Sequence, residues 1–554
     1  MKAARRGDLW WKTAVVYCLD VEKYLDWNDD GIGDFEGLAH RLDHLAELGV
    51  SCLWLMPFQP SPRRDDGYDI TDFQAVDPRY GSLGDLVEVI RMARDRGIRV
   101  IIDFVMNHTS DRHPWFRDAR RSRDSRYRDY YVWRDEPPAH QEPVVFPGEE
   151  TSMWELDERT GQYYVHSFYR HQPDLNIANP AVRDEIATTL GFWLQLGVSG
   201  FRVDAVPFLI EAPTGVDIGD PHEFLRDLRR YLERRSDDAI LLGEVNLPYP
   251  GQLEFFGRPG DPAELTMQFD FRAMQRMYLS LVREDARPLA EALAARPDLR
   301  IEAQYANFVR NHDELTLDQL TDAEREEVFE ALAPDPDQRI YGRGIARRLP
   351  PMVDGDPRRV ALAYSLLFAL PGTPVLFYGE EIGMGENPEL GGRMTVRSPM
   401  QWSSERNGGF SRADSRRLVA KPPRGGYAPE HVNVESQLHD PDSLLATIRG
   451  FAHRYRSTPE IGWGRFEVLD QPVRSVLAHR ITGEDGQFVA VHNLGPEPAR
   501  VPLALGPDPA DSRLSDLFDL TTLPVDDRGR VEVEVGAYGY RWFRRVTSED
   551  RRLT

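Results

Sequence analysis

Residues 81–105 read GSLGDLVEVIRMARDRGIRVIIDFV. Ser82 and Asp85 have the spacing of a helix-opening capping box, so a helix is expected over 81–97. The run RVIIDFV (99–105) is apolar enough to be a strand covered on both faces. Upstream the same units recur. AVVYCL (14–19) is followed by a helix in which Leu38, Leu42 and Leu45 share one face and Gly49 sits at the end. The apolar strand SCLWLM (51–56) comes next. Strand, helix and strand in alternation predict a parallel sheet clothed in helices.

The alternation stops at residue 108. A segment rich in Arg, Asp, Pro and Tyr intervenes up to 174, before a helix over 179–197 with Asn179 as cap and Pro180 in its first turn. Further strands are then expected at SGFRVD (199–204), AILLGEV (239–245), TMQFDF (266–271), YANFVR (305–310) and TPVLFYG (373–379). With the first three they number eight, which a closed (β/α)8 TIM barrel accommodates best. The barrel is expected over 1–107 and 175–455, with an inserted domain at 108–174 after strand 3 and a mostly helical excursion at 314–357. From 456 to 554, short alternating runs such as FVAVHNL and VEVEV predict a C-terminal antiparallel β-sandwich.

Of the 554 residues, 41% are hydrophobic and 29% charged, the balance of an ordinary globular protein. The net charge of −23 excludes nucleic acid or an anionic membrane as expected partners and disfavours a strongly anionic substrate. No apolar run approaches the roughly 20 residues of a membrane span. The start, MKAARRGDLWWKT, lacks a signal-peptide core, so a cytoplasmic location is expected. Cys18 and Cys52 fall inside expected strands, where they read as small buried apolar residues.

In a barrel, reactive groups gather at the C-terminal strand ends. There the sequence places Asp103, Asn107 and His108; Arg202 and Asp204; Glu244; and His312 with Asp313. One acid at a strand end reads as a cap or surface charge. Three acids on different strands, with two histidines and an arginine, point to retaining glycosidic chemistry, in which one carboxylate attacks the anomeric carbon and another protonates the leaving oxygen. Arg202, two residues before Asp204, faces the same way and would keep that carboxylate ionised.

DFVMNH (103–108), GFRVDAV (200–206), GEVN (243–246) and FVRNHD (308–313) resemble, in order, the four motifs of the α-amylase superfamily, glycoside hydrolase family 13, and QPDLN (172–176) resembles a fifth. The resemblance implies Asp204 as nucleophile, Glu244 as general acid/base and Asp313 as the third acid, with His108, Gln172, Arg202 and His312 contacting the same sugar. RRDDGYDITDF (63–73) is similar to members acting at a chain end. It implies Asp65 on the terminal glucose, Tyr68 as its platform, and Arg397 as the arginine that pairs with Asp65. Exposed loop charges are the alternative for that pair.

DWNDDGIGD (26–34) looks like the front half of an EF-hand, but the twelfth position, where a bidentate Glu belongs, is Gly37. A polar turn is the alternative. The family resemblance implies structural Ca2+ held through Asp26, Asn28, Asp30, the Ile32 carbonyl and Asp34. It implies a second ion at Asn107, Asp174 and Glu211 with the carbonyls of Phe208 and Leu209, where simple hydrogen bonding across the domain junction is the alternative. No organic cofactor is expected.

Within the family the likeness is greatest to the branch that isomerises maltose to trehalose through a glucosyl-enzyme, whose members commonly self-associate. Three segments depart from that branch: GEVNLPYP after the acid/base, FDFRAMQ with Asp270 and Arg272 after strand 6, and GRMTVR before Arg397. They are expected to border the acceptor side. An α-linked glucose disaccharide is therefore the expected substrate, with an α-glucosidase or a transglucosylase using another acceptor as alternatives. An inactive scaffold relative is a further alternative, disfavoured by the retained acids.

Overall fold

The computed structural model describes residues 9–140, 143–210, 220–258, 260–484, 486–506 and 512–546. Eight strands close into a barrel: β1 (Val16–Leu19), β2 (Cys52–Leu55), β3 (Arg99–Phe104), β4 (Gly200–Val203), β5 (Ile240–Gly243), β6 (Met267–Phe269), β7 (Gln304–Phe308) and β8 (Thr373–Phe377). Each pairs in parallel with its neighbours in sequence, and β8 returns to β1 through Val16↔Val375. The strands are short and apolar because barrel side chains on one face and helices on the other both exclude water. Cys18 and Cys52 are buried free thiols among them. The Ser82–Asp85 capping box forms at the helix Leu83–Asp95, and Gly49 ends its helix in the left-handed conformation (φ 94°).

An isolated bridge between His108 and Asp174 closes the base of the inserted segment. Within it is a small antiparallel sheet (Trp133–Arg134, Trp154–Asp157, Gln162–Val165). The excursion after β7 is less helical than its sequence suggests. It holds one long helix, Asp322–Leu332, and a three-stranded sheet of two-residue strands (Leu315–Thr316, Arg339–Ile340, Gly344–Ile345). Those strands escape sequence reading because two residues carry no alternation to detect. At the C-terminus a six-stranded and a two-stranded antiparallel sheet enclose their own core, including Val491, Val501, Val533 and Phe543. No described helix is long and apolar enough to cross a membrane.

Candidate active site

Asp204 and Glu244 are the first residues beyond β4 and β5, and Asp313 follows β7. Alternation along β4 puts Arg202 on the same face as Asp204. Arg202 is 1% exposed, and its guanidinium collects three acids: Nη1 bonds Asp103 Oδ1 (2.7 Å) and Asp204 Oδ1, and Nη2 bonds Glu244 Oε2 (2.8 Å). One guanidinium thus holds nucleophile and acid side by side. Retention needs the two carboxyl groups close, at about 5–5.5 Å, and the shared guanidinium keeps them neighbours. Ala205 adopts φ 45°, a conformation non-glycine residues rarely take, and donates its N–H to Glu244 Oε2 at 3.1 Å.

The acids divide by environment. Burial pushes Glu244 up to about 7 and Asp204 up to about 6, in each case against the opposing pull of Arg202. Burial also pushes Asp313 upward, but His312, Arg393 and Arg397 outweigh it and hold this carboxyl well below the ordinary range. At neutral pH the site therefore offers one permanent carboxylate, one mostly ionised nucleophile and one carboxyl that still carries a proton part of the time. His108 is lowered to about 4 by burial and is neutral, with Nε2 directed at the Tyr68 carbonyl (3.1 Å).

These groups line a cavity of about 410 Å³, within the usual range for small-ligand sites. Asp65, Tyr68, His108, Asp204, Glu244 and Asp313 form part of its wall. Gln172, Arg202, His312 and Arg397, expected to touch the sugar, do not line the cavity, and each bonds at least one residue that does. Gln172 Nε2 donates to Asp65 Oδ2 (2.9 Å), and His312 Nε2 lies 2.7 Å from Tyr68 Oη.

The arginine pairing is also corrected. Arg393, not Arg397, meets Asp65 (Nη2 to Oδ1, 2.9 Å), while its Nη1 bonds Asp313 Oδ1 (2.7 Å). Arg397 turns instead to the neighbouring Asp66 (2.8 Å), the His312 carbonyl (2.8 Å) and Asp313 (3.0 Å). Asp66 takes Arg397 because its own φ of 49° aims it away from the cavity, into a buried ion cluster. Within that cluster Lys23 Nζ contacts Asp66 (3.0 Å), Asp20 (2.6 Å) and Glu22 (3.1 Å). Burial alone would discharge this lysine, but the three carboxylates keep its ammonium charged.

Each of the three divergent segments reaches the cavity, the first through Asn246 and Leu247, the second through Phe271 and the third through Arg393. Asn246 and Leu247 line the cavity, and Asn246 bonds Asp318 (2.8 Å). Asp270 and Arg272 do not line it. Asp270 caps the helix Phe271–Arg283 and pairs with half-buried Arg296 (2.7 Å), and Arg272 lies over the Tyr249 ring. Their neighbour Phe271 reaches the cavity. GRMTVR serves the glucose side through Arg393. Over the mouth, the excursion touches the inserted segment. Arg343 Nη1 donates to the Val145 carbonyl (2.6 Å), and Tyr341 packs on Phe146, which stacks on Tyr169 (centroids 4.6 Å apart).

The two expected calcium sets differ in completeness, and the loop carboxylates Asp26, Asp30 and Asp34 are not drawn together as a trio spaced for a metal. In the loop 26–34, Asp26, Asn28 and Asp30 each accept N–H groups of Asp30, Gly31 or Ile32, which gathers their oxygens inside one turn. Asp34 accepts from Trp27, Asn28 and Gly37 as cap of the next helix. At the junction, Asn107 Nδ2 donates to Asp174 Oδ1 (3.1 Å), and Ser167 donates to Oδ2. Phe208 and Leu209 lie in a short helix, and Glu211 falls outside the described residues. Among the described residues, the one trio of acids spaced for a metal is Asp20, Glu22 and Asp66, already filled by Lys23.

Comparison with known proteins matches residues 21–332 and 347–461 to the α-amylase catalytic domain and residues 486–544 to a sucrose hydrolase-like C-terminal domain. A trehalose synthase of Pimelobacter sp. is 41% identical over 97% of this chain and 96% of its own length. A trehalose synthase/amylase of Mycobacterium tuberculosis is 40% identical over 98% of this chain and 91% of its own. Among solved structures, the trehalulose synthase MutB of Pseudomonas mesoacidophila superposes with a TM-score of 0.76 at 25% identity, covering 98% of this chain and all of that one.

Proposed function

The chain belongs to the α-amylase family, and from that premise we propose that it transfers an α-glucosyl group with retention, interconverting maltose and trehalose. The observation that carries the reading is a pocket blocked at one end and covered at the other. Arg393 and Gln172 fix Asp65 at the glucose end, so one terminal glucose fits, and the Arg343–Val145 and Tyr341–Phe146 contacts span the mouth. Relatives named for trehalose synthesis over nearly the whole chain support the same reading.

Asp204 attacks the anomeric carbon while Glu244 gives its proton to the glycosidic oxygen, leaving a glucosyl ester and free glucose. Asp313, ionised throughout, accepts hydroxyls of the bound sugar and offsets charge developing on the ring. The released glucose turns within the covered pocket. Glu244, now a carboxylate, removes the proton from its anomeric hydroxyl, which attacks the ester and yields trehalose. Exclusion of water decides between this return and hydrolysis. A second reading, α-glucosidase, is favoured by the apolar Leu247 and Phe271 on the acceptor side, which offer no hydrogen bond to a waiting glucose. Following maltose, trehalose and sucrose separately by proton NMR tests both. Disaccharide interconversion with little glucose is expected, and glucose as sole product would establish the hydrolase.

We also propose that Ca2+ binds the loop 26–34 as a structural ion. Its donors are all hard oxygens and include three carboxylates, the chemistry calcium selects. The ion would brace the chain between β1 and the first helix, with no part in the chemical step. The junction set is a weaker candidate, because Asp174 is the one carboxylate it brings among the described residues.

A further inference from the structure

The inserted segment carries a second cavity, of about 250 Å³, lined by Asp111, Arg112, Arg117, Arg120, Arg121 and Arg159. Five arginines around one small hollow are unexpected in a chain of net charge −23. They arrive from separate places: Arg112 precedes the helix Pro114–Ala119, Arg117 lies on it, Arg120 and Arg121 follow it, and Arg159 sits in the turn between strands Trp154–Asp157 and Gln162–Val165.

Their compensation is incomplete. Arg120 pairs with buried Asp157 (2.7 Å), and Arg121 reaches Asp118 only at 3.6 Å. The lone acid of the wall, Asp111, is neutralised from outside by Arg64 (Nη1 to Oδ2, 3.2 Å). The side chains of Arg112, Arg117 and Arg159 have no hydrogen-bond or ion-pair partner among the described residues. Like charges gathered without counter-charge repel, so such a hollow favours whatever anion fills it.

We propose that this cavity binds a phosphate group of a small phosphate ester. Guanidinium forks match the tetrahedral oxygens of phosphate bidentately, and several forks around one point suit a dianion better than a single carboxylate. The hollow is below the usual size of small-molecule sites, which fits a phosphate with a compact substituent rather than an extended polymer. Net negative charge elsewhere does not prevent this, because charges beyond a Debye length of about 8 Å are screened at physiological salt. None of the glycosidic acids lines this hollow.

The test is titration calorimetry and thermal melting of the full-length chain with inorganic phosphate, glucose 6-phosphate and ATP at fixed ionic strength, with sodium chloride as control. Saturable binding of phosphate is expected, with the two esters distinguishing a sugar from a nucleotide source. Arg117→Ser with Arg159→Ser should weaken it at least tenfold, and the double change to Lys should weaken it less while keeping the charge. Turnover of maltose without phosphate should be unchanged in both variants. Binding that chloride reproduces, or that survives the double Ser variant, would overturn the site. So would capture of an acidic oligoglutamate peptide with none of the phosphates.

Discussion

Arg393 Nη2 lies 2.9 Å from Asp65 Oδ1, while Arg397 lies 2.8 Å from Asp66 Oδ2. Two adjacent aspartates thus take two arginines four residues apart, one pair on the cavity wall and the other sealed beneath it. Their substitution should have different consequences. Arg393→Ala removes a charge-assisted contact of about 1.5–3 kcal/mol and should raise KM for maltose roughly ten- to a hundredfold with little change in Tm. Arg397→Ala breaks a buried pair at a residue 1% exposed and should cost about 3–5 kcal/mol of stability. Steady-state kinetics and thermal melting on both variants check the division, and an equal loss of stability in the two would contradict it.

Glu244→Gln removes the transferable proton and should lower turnover of maltose by about 10²–10⁴. With an α-glucosyl fluoride, whose leaving group needs no proton, the first step should recover much of its rate. Asp204→Asn should not be rescued by the fluoride, since it lacks the attacking carboxylate. Fluoride release by both variants distinguishes the roles.

The pH profile should be a narrow bell. Asp204, pushed up to about 6, must be ionised to attack, so the rate falls as pH drops below that value. Glu244, pushed up to about 7, must be protonated to donate, so the rate falls as pH rises above it. Because the two interact through Arg202, the limbs belong to the pair. A plateau of kcat/KM extending to pH 9 would show that Glu244 is not the acid.

Arg343→Ala removes the hydrogen bond to Val145 that spans the pocket mouth. Water entry should increase, so the ratio of free glucose to isomerised disaccharide should rise several-fold while the rate of maltose cleavage holds. Product analysis by NMR reads that ratio directly.

Exhaustive chelation should lower Tm, and added Ca2+ should restore it, if the loop 26–34 holds the ion. Asp30→Ala should abolish the calcium response while leaving the glycosidic chemistry intact. Melting curves with and without chelator, together with elemental analysis, decide the matter.

All eight barrel strands are legible in the sequence because each is a compact apolar run flanked by amphipathic helices. The strand-end acids are legible for a related reason: Asp204 and Glu244 come directly after such runs, and Arg202 sits two residues before Asp204 on the same face. The pairing of Arg393 with Asp65 was not. Residue type marks both arginines as partners, but the choice rests on the left-handed turn at Asp66, a backbone property that Arg-Asp-Asp-Gly does not announce. Lys23 was missed for another reason. Its ammonium is one charge in a chain of many, and although Asp20 and Glu22 are close in sequence, nothing local reveals that Asp66, 43 residues on, joins them around it. The two-residue strands of the excursion fell below any detectable period.

The Lys23 ammonium sits where a metal ion would otherwise satisfy Asp20, Glu22 and Asp66. A cation tethered by its own side chain arrives with the polypeptide at a fixed one-to-one stoichiometry. It cannot be leached by dilution or exchanged for a competing ion, so the scaffold beneath the Asp66–Arg397 pair is indifferent to the mineral content of its surroundings. The liability moves from supply to chemistry: acylation or carbamylation of that one amine before burial would leave three carboxylates with only Arg63 and Arg397 as counter-charges, and the nascent chain would have to fold around a centre short of one cation.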